Sequence, residues 1–158
     1  LFTAIREMCG GQPWFQWEPA LRGREPQALA RAAAELAQRI AALRFEQYAF
    51  ARQWSALRRY AAAHGVHLFG DMPIFVAHDS ADVWSARELF LLDAEGQPLT
   101  VAGVPPDYFS ADGQRWGNPH YAWEAMARDG FAWWRRRIAS QRARFDVLRI
   151  EHSPGYEA

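Results

Sequence analysis

At 158 residues the chain is about one domain long; half of it is hydrophobic and 15% aromatic, with eight Trp, which excludes an intrinsically disordered chain. Its 18 basic side chains, all Arg, balance 18 acidic ones, so the electrostatic footprint of a nucleic-acid or anionic-membrane binder is absent. Cys9 stands alone, which rules out an intramolecular disulfide, and no apolar run reaches transmembrane length. The N-terminus, LFTAIREMCGG, has neither a start Met nor the layout of a signal peptide, and the expectation is a soluble, cytoplasmic piece of something longer.

Residues 1–24 read as a short helical turn followed by GGQPWFQWEP, where Trp14, Phe15 and Trp17 anchor the segment to its domain. Pro26 suits the first turn of a helix, and the spacing predicts one helix from Pro26 to Ala63. Leu29, Leu36, Leu43, Phe50 and Leu57 recur every seven residues, with Ile40, Trp54 and Ala61 four beyond three of them. That span is long for a globular helix, so a bend near Arg44 is expected. Coiled-coil pairing competes with burial, but Phe45, Gln47, Tyr48 and Gln53 put bulk on other faces and favour burial.

Gly65 closes that helix, and Val66–Gly70 reads as a short buried strand ending at Asp71. The design recurs downstream. Helical pieces at 119–127 and 131–144, with Phe131, Trp134 and Ile138 on the inner face of the second, precede the strand FDVLRI (145–150), which ends at Glu151. Two buried strands, each preceded by a helix and each ending in a carboxylate, predict parallel pairing. Carboxylates at strand C-termini are where α/β folds, barrels above all, put their chemistry.

Residues 77–118 between the strands are irregular apart from a hairpin in ELFLLDAEGQPLTVAGV turning at Glu95–Gly96. The stretch GVPPDYFSADGQRWGNPHY (103–121) shows no strand or helix period and is broken by Pro and Gly. It interleaves Tyr108, Phe109, Trp116 and Tyr121 with Asp107, Gln114 and Asn118. Aromatic faces beside planar polar groups suit a sugar ring, with its apolar C–H face and hydroxyl rim. An Ω-type loop whose aromatics pin it to its own scaffold fits the same residues equally well.

Asp71, Arg149, Glu151 and His152 form the candidate active-site cluster. Alternation along FDVLRIEH places Arg149 and Glu151 on one face of the strand, where an Arg holds a carboxylate ionised and oriented. Such a carboxylate can serve as nucleophile or base; a structural ion pair without chemistry explains the spacing as well. His64 and His67 fall on different elements, and Asp79-Ser80-x-Asp82 reads as a capped turn, so no metal site is expected. Arg135-Arg136-Arg137 reads as a solvated helix face.

Three stretches, GDMPIFVAHDSADVW (70–84), ELFLLDAEGQPLTVAGVPPDYFSADGQRWGNPHYAWE (88–124) and FDVLRIEH (145–152), together resemble the 4-alpha-glucanotransferases of glycoside hydrolase family 77. The similarity continues upstream through PWFQWEPALRGREP and RFEQYAFARQW, so it covers nearly the whole chain. It implies an α/β fold, a segment of a (β/α)8 TIM barrel holding about strands 3 and 4 with flanking helices and inserted subdomain loops. Residues 1–158 would form a single incomplete catalytic-barrel segment, with 77–118 as an inserted loop subdomain.

The resemblance implies no metal and no organic cofactor. Its substrate is an α-1,4-glucan or maltooligosaccharide, cleaved and transferred with retention through a covalent glycosyl-enzyme; neither nucleic acid nor a membrane is a partner. Glu151 would stand at the nucleophile position, Arg149 would orient it, Asp71 would support the same subsite, and His152 would contact the sugar beside the scissile bond. Tyr108, Phe109, Gln114 and Trp116, with Asn118, would belong to the loop that covers the glucan.

Two departures qualify the match. The family motif reads Arg-x-Asp-His-Phe-Arg-Gly, whereas this chain has Arg149-Ile150-Glu151-His152-Ser153-Pro154-Gly155. The acid/base that a retaining glycosidase needs opposite its nucleophile lies on later strands of the family's barrel. A free 158-residue chain is therefore expected to fold weakly and not to turn over. The alternatives are a non-catalytic glucan-binding remnant, or a helical interaction module built on 26–63.

Overall fold

The structure, a computed structural model, describes residues 1–106, 108 and 110–150. Helix α1 covers Phe2–Met8, and a one-turn 3-10 helix at Trp14–Gln16 leads to α2 (Pro19–Arg22) and α3 (Pro26–Glu35). Both α2 and α3 open on Pro, whose missing N–H would have no partner in a first turn anyway. Helix α4 (Ala37–Ala63), strand β1 (Phe69–Met72) and helix α5 (Ala81–Ser85) follow. Strands β2 (Val101–Val104) and β3 (Gln114–Pro119) precede α6 (Trp123–Ala127), α7 (Ala132–Arg142) and β4 (Val147–Ile150).

The predicted single helix is two. Leu36 leaves the helical region (φ −95°, ψ 15°) after its N–H bonds to the Ala32 carbonyl, so the break falls there and not near Arg44. The physical reason is a change of loyalty. The chain divides into two compact units, residues 1–36 with 75–125, and 37–74 with the segment from 126 onward, and the break lies at the boundary.

The first unit is organised by indoles. Trp14 and Ile5 are fully buried, with Trp17, Val83, Trp84 and Phe90 also in the core. Each buried indole finds an acceptor: Trp14 Nε1–H donates to the His78 carbonyl (2.7 Å) and Trp84 Nε1–H to the Leu21 carbonyl (3.0 Å). Phe15 stacks on the His78 ring (4.4 Å, 5°), so the expected anchoring of the Trp14–Trp17 segment is present. Ser80 caps α5 by accepting the Val83 N–H, the capped turn read from Asp79-Ser80-x-Asp82.

The turn at Glu95–Gly96 also forms, with Asp93 Oδ1 accepting the Gln97 N–H (2.7 Å) and Gly96 at φ +86°. Its arms are short, joined by a single bridge, Leu92 with Pro98. The longer pairing is elsewhere. β2 and β3 form an antiparallel pair with Val101 opposite Pro119, Gly103 opposite Arg115 and Val104 opposite Gln114. Residues 103–104 and 114–119 are thus strand, against the expectation of wholly irregular structure. Backbone ladders need no apolar alternation where the side chains are exposed, so a period search misses them.

The second unit holds the parallel pair that helix–strand alternation predicts: β1 and β4, with Phe69 opposite Val147, Gly70 opposite Leu148, Asp71 opposite Arg149 and Met72 opposite Ile150. β1 begins and ends later than expected, so Asp71 lies within the strand; Pro73, having no N–H, stops it. β4 starts at Val147, two residues into FDVLRI. Neither strand is buried on both faces as expected, since only Gly70 and Met72 of β1 are buried and Phe69 is 59% exposed. Gly70 is required sterically, because a Cβ there would overlap the Phe145 ring.

Helix 119–127 shrinks to α6 because Pro119 belongs to β3. In α7, Trp133 and Trp134 are buried, whereas Phe131 is the left-handed N-cap residue (φ 58°) and exposed. Arg137 departs from the solvated face assigned to it. Its guanidinium lies over both Trp133 (5.2 Å) and Trp134 (5.4 Å), four and three residues back on the helix, and donates to the Pro73 carbonyl (2.7 Å).

Candidate functional site

The predicted residues fall into two groups, one in each compact unit. At the C-terminal ends of β1 and β4, Arg149 and Asp71 face each other in register. Arg149 Nε–H donates to Asp71 Oδ1 (2.7 Å) and Nη2–H to Oδ2 (2.6 Å), a two-pronged fork that fixes the plane of both groups. The side chains are 56% and 43% exposed, so the pair contributes only about 0–1 kcal/mol to stability. Its value is geometric. It presents an oriented guanidinium at a strand end, two residues before Glu151 in the sequence.

Strand alternation sets Arg149 on the face of residue 151, and across the strand pair Asp71 is a partner of Arg149, 78 residues away in sequence. Glu151 and His152 lie outside the described residues. No local pattern joins Asp71 to Arg149. The available signal was that both stand at the ends of strands expected to pair in parallel.

The second group lies on β3 and the connection before it. Trp116 Nε1–H donates to Gln114 Oε1 (3.0 Å), holding a ring and an amide together two residues apart. Asn118 Nδ2–H donates to the Val76 carbonyl (2.8 Å), so this amide ties β3 to the backbone after β1. Tyr108 is 97% exposed, a large ring presented to solvent. Phe109 and Asp107 lie outside the described residues.

Phe75, to which no sequence pattern points, packs beside Trp116 (6.4 Å), His120 (5.6 Å) and Tyr121 (6.0 Å, nearly parallel). His120 Nδ1 meets Thr100 Oγ1 at 2.9 Å. Tyr121 is buried. Asn118 and Tyr121 thus pin the stretch to its scaffold, while Tyr108 is exposed and Trp116 half-buried. Among the described residues no three His, Cys, Asp or Glu side chains are grouped to hold a metal ion. No described helix is long and apolar enough to cross a membrane.

The glycoside hydrolase 77 family model, described as 4-alpha-glucanotransferase, matches residues 1–158. The chain belongs to glycoside hydrolase family 77. Among family 77 relatives, the 4-alpha-glucanotransferase of Thermus thermophilus is 51% identical over all of this chain and 32% of its own length. That of Aquifex aeolicus is 46% identical over the same shares, 100% and 32%. The chloroplastic/amyloplastic 4-alpha-glucanotransferase of Solanum tuberosum is 43% identical over 98% of this chain and 27% of its own.

Among solved structures, the amylomaltase from Streptococcus agalactiae in complex with acarbose superposes with a TM-score of 0.94 at 44% identity. It covers 98% of this chain, which in turn covers 32% of it. This family 77 chain therefore spans about a third of the length of the relatives it matches.

Proposed function

We propose that this chain is the part of a 4-alpha-glucanotransferase that supplies barrel strands 3 and 4, as β1 and β4, together with the donor side of the sugar site. The observation that carries the reading is the Asp71–Arg149 fork at the ends of two parallel strands, directly ahead of Glu151 and His152, in a family 77 chain. The acarbose held by the Streptococcus agalactiae amylomaltase supports a sugar as the ligand class.

In this reading the Glu151 carboxylate attacks the anomeric carbon of an α-1,4-linked glucose unit. The bond to the leaving 4-oxygen breaks, and that oxygen takes a proton from a general acid outside these residues. The 4-hydroxyl of a second sugar then displaces Glu151, returning its proton to the same group, and two inversions restore the α-linkage. Arg149 adds a fixed positive charge that favours the ionised nucleophile, and Asp71 holds Arg149 in plane. His152 contacts the sugar beside the scissile bond. Tyr108, Phe109, Gln114 and Trp116 cover the glucan, and Asn118 serves by holding β3 in place. The 158 residues by themselves are not expected to turn glucan over, because that general acid is supplied from outside them.

A non-catalytic glucan-binding role is the second reading, favoured by Glu151 in the place of the motif's Asp and by Ser153-Pro154 after it. The longer side chain carries the carboxylate about one C–C bond outward, and a misplacement near 1 Å costs roughly a hundredfold in rate.

Grafting residues 1–158 in place of the equivalent third of the Thermus thermophilus relative separates the two. With maltotriose the graft is expected to release glucose and build longer maltodextrins, and Glu151→Asp to raise that rate about a hundredfold. A folded graft that produces neither glucose nor longer chains, with or without Glu151→Asp, would overturn the enzymatic reading.

A further inference from the structure

The opposite ends of β1 and β4 carry a second Asp–Arg pair that the glucan reading does not use. Asp146 Oδ1 accepts from both Arg58 Nε–H (3.0 Å) and Nη2–H (2.6 Å), while Asp146 Oδ2 accepts the Leu68 N–H (2.9 Å). The Leu68 carbonyl in turn accepts the N–H groups of Asp146 (2.9 Å) and Val147 (3.2 Å). Arg58 Nη1–H also bonds the Ala143 carbonyl (2.7 Å), and Trp54 Nε1–H bonds the Arg144 carbonyl (2.9 Å). One carboxylate thus joins the residue before β1, the approach to β4 and the side of α4.

The register of this pair needs such a pin. Hydrophobic alternation specifies register strongly only where one face of the sheet is buried. Here Gly70 and Met72 bury one face of β1, but no residue of β4 is buried, Val147 and Ile150 being 49% and 42% exposed, so alternation registers β4 only weakly. Each strand is four residues long, which leaves few ladder bonds to resist slippage. A one-residue slip would put Asp71 opposite Leu148 or Ile150 and undo its fork with Arg149.

We propose that Asp146 is a positioning residue: by clamping Leu68 and Arg58 immediately ahead of the first paired residues, it sets the register that brings Arg149 onto Asp71. The clamp acts through geometry at one end of the strands and is read at the other. That the Asp71–Arg149 end serves a sugar rests on the glucan reading. The register role does not, and a measurement made without sugar lets the two fail separately.

The test uses the whole 158-residue chain labelled with ¹⁵N. In Asp146→Asn the Arg149 Nε–H is expected to exchange with solvent at least about tenfold faster, and the cross-strand signals between Gly70 and Leu148 to move. The buried Trp14 and Trp84 indole N–H signals of the other unit should stay put. Arg58→Lys, which keeps the charge but loses the fork, should give the same selective effect in weaker form. Unchanged Arg149 protection in a folded variant would overturn the role. So would a uniform loss of protection across all amides of the unit, the mark of plain destabilisation; if Asp146→Asn unfolds, Arg58→Lys decides between these outcomes.

Discussion

The two compact units solve the burial problem differently. In residues 1–36 with 75–125, two indoles and a phenyl ring close on one another: Phe2 lies 5.4 Å from Trp17 and 5.6 Å from Trp84, and Trp17 meets Trp84 edge-on at 5.5 Å. In the other unit the 27-residue α4 buries only Ala61, while Phe45, Tyr48, Phe50, Leu57 and Tyr60 stay exposed. A unit that covers its aromatics has a core of its own. One that exposes them leans on polar clamps and on a few indoles, Trp133 and Trp134. The first unit should therefore be the more stable.

The largest test of that contrast is Trp14→Ala. Trp14 is fully buried and its N–H is bonded, so removing it is expected to cost about 3–5 kcal/mol. Amide exchange measured by mass spectrometry should show protection collapsing in 1–36 and 75–125. If exchange there stayed at wild-type rates, the idea of an indole-built core would be wrong.

A matched pair of glycines sharpens the comparison. A Cβ at Gly96 would overlap the Trp14 ring, at a backbone φ of +86° that L-residues avoid. A Cβ at Gly70 would overlap the Phe145 ring, which is only partly buried. Overpacking costs about 1–3 kcal/mol, and Gly96→Ala should fall at or above the top of that range and Gly70→Ala lower in it. Urea titrations of the two variants measure this, and the reverse order would contradict the difference in rigidity between the units.

The smallest effect is that of pH. The Asp146 carboxyl is held below the usual carboxylate range, first by the Leu68 N–H and then by Arg58. Its folded pKa is depressed, so its contribution is complete above the unfolded value near ~3.9 and is lost as pH falls through the folded one. The second unit should melt at lower temperature as pH falls below about 4, and Asp146→Asn should remove that part of the slope. An identical acid profile in the variant would show that another group carries it.

Chemistry between near neighbours was readable without coordinates. Pro26 opening a helix, Ser80 capping α5, the turn at Gly96 and the family-specific stretches are all decided within a few residues. Parallel pairing of β1 with β4 was also readable, because a helix between two strands leaves little other choice. Of the candidate site, the sequence singled out Asp71, Arg149, Gln114 and Trp116 but not who holds whom.

What only the tertiary structure decided depends on partners far apart in the chain. The break at Leu36 follows from which unit each half of the helix joins, and no residue at the break itself announces it. The β2–β3 pair rests on backbone bonds, which are indifferent to the side chains that a period search counts. Asp71 meets Arg149, and Asp146 meets Leu68, each across 78 residues. The sequence by itself determined the family, the turns and the residue types at the strand ends. The register that turns those residues into a site is a long-range agreement between two short strands, and it exists only once both are in place.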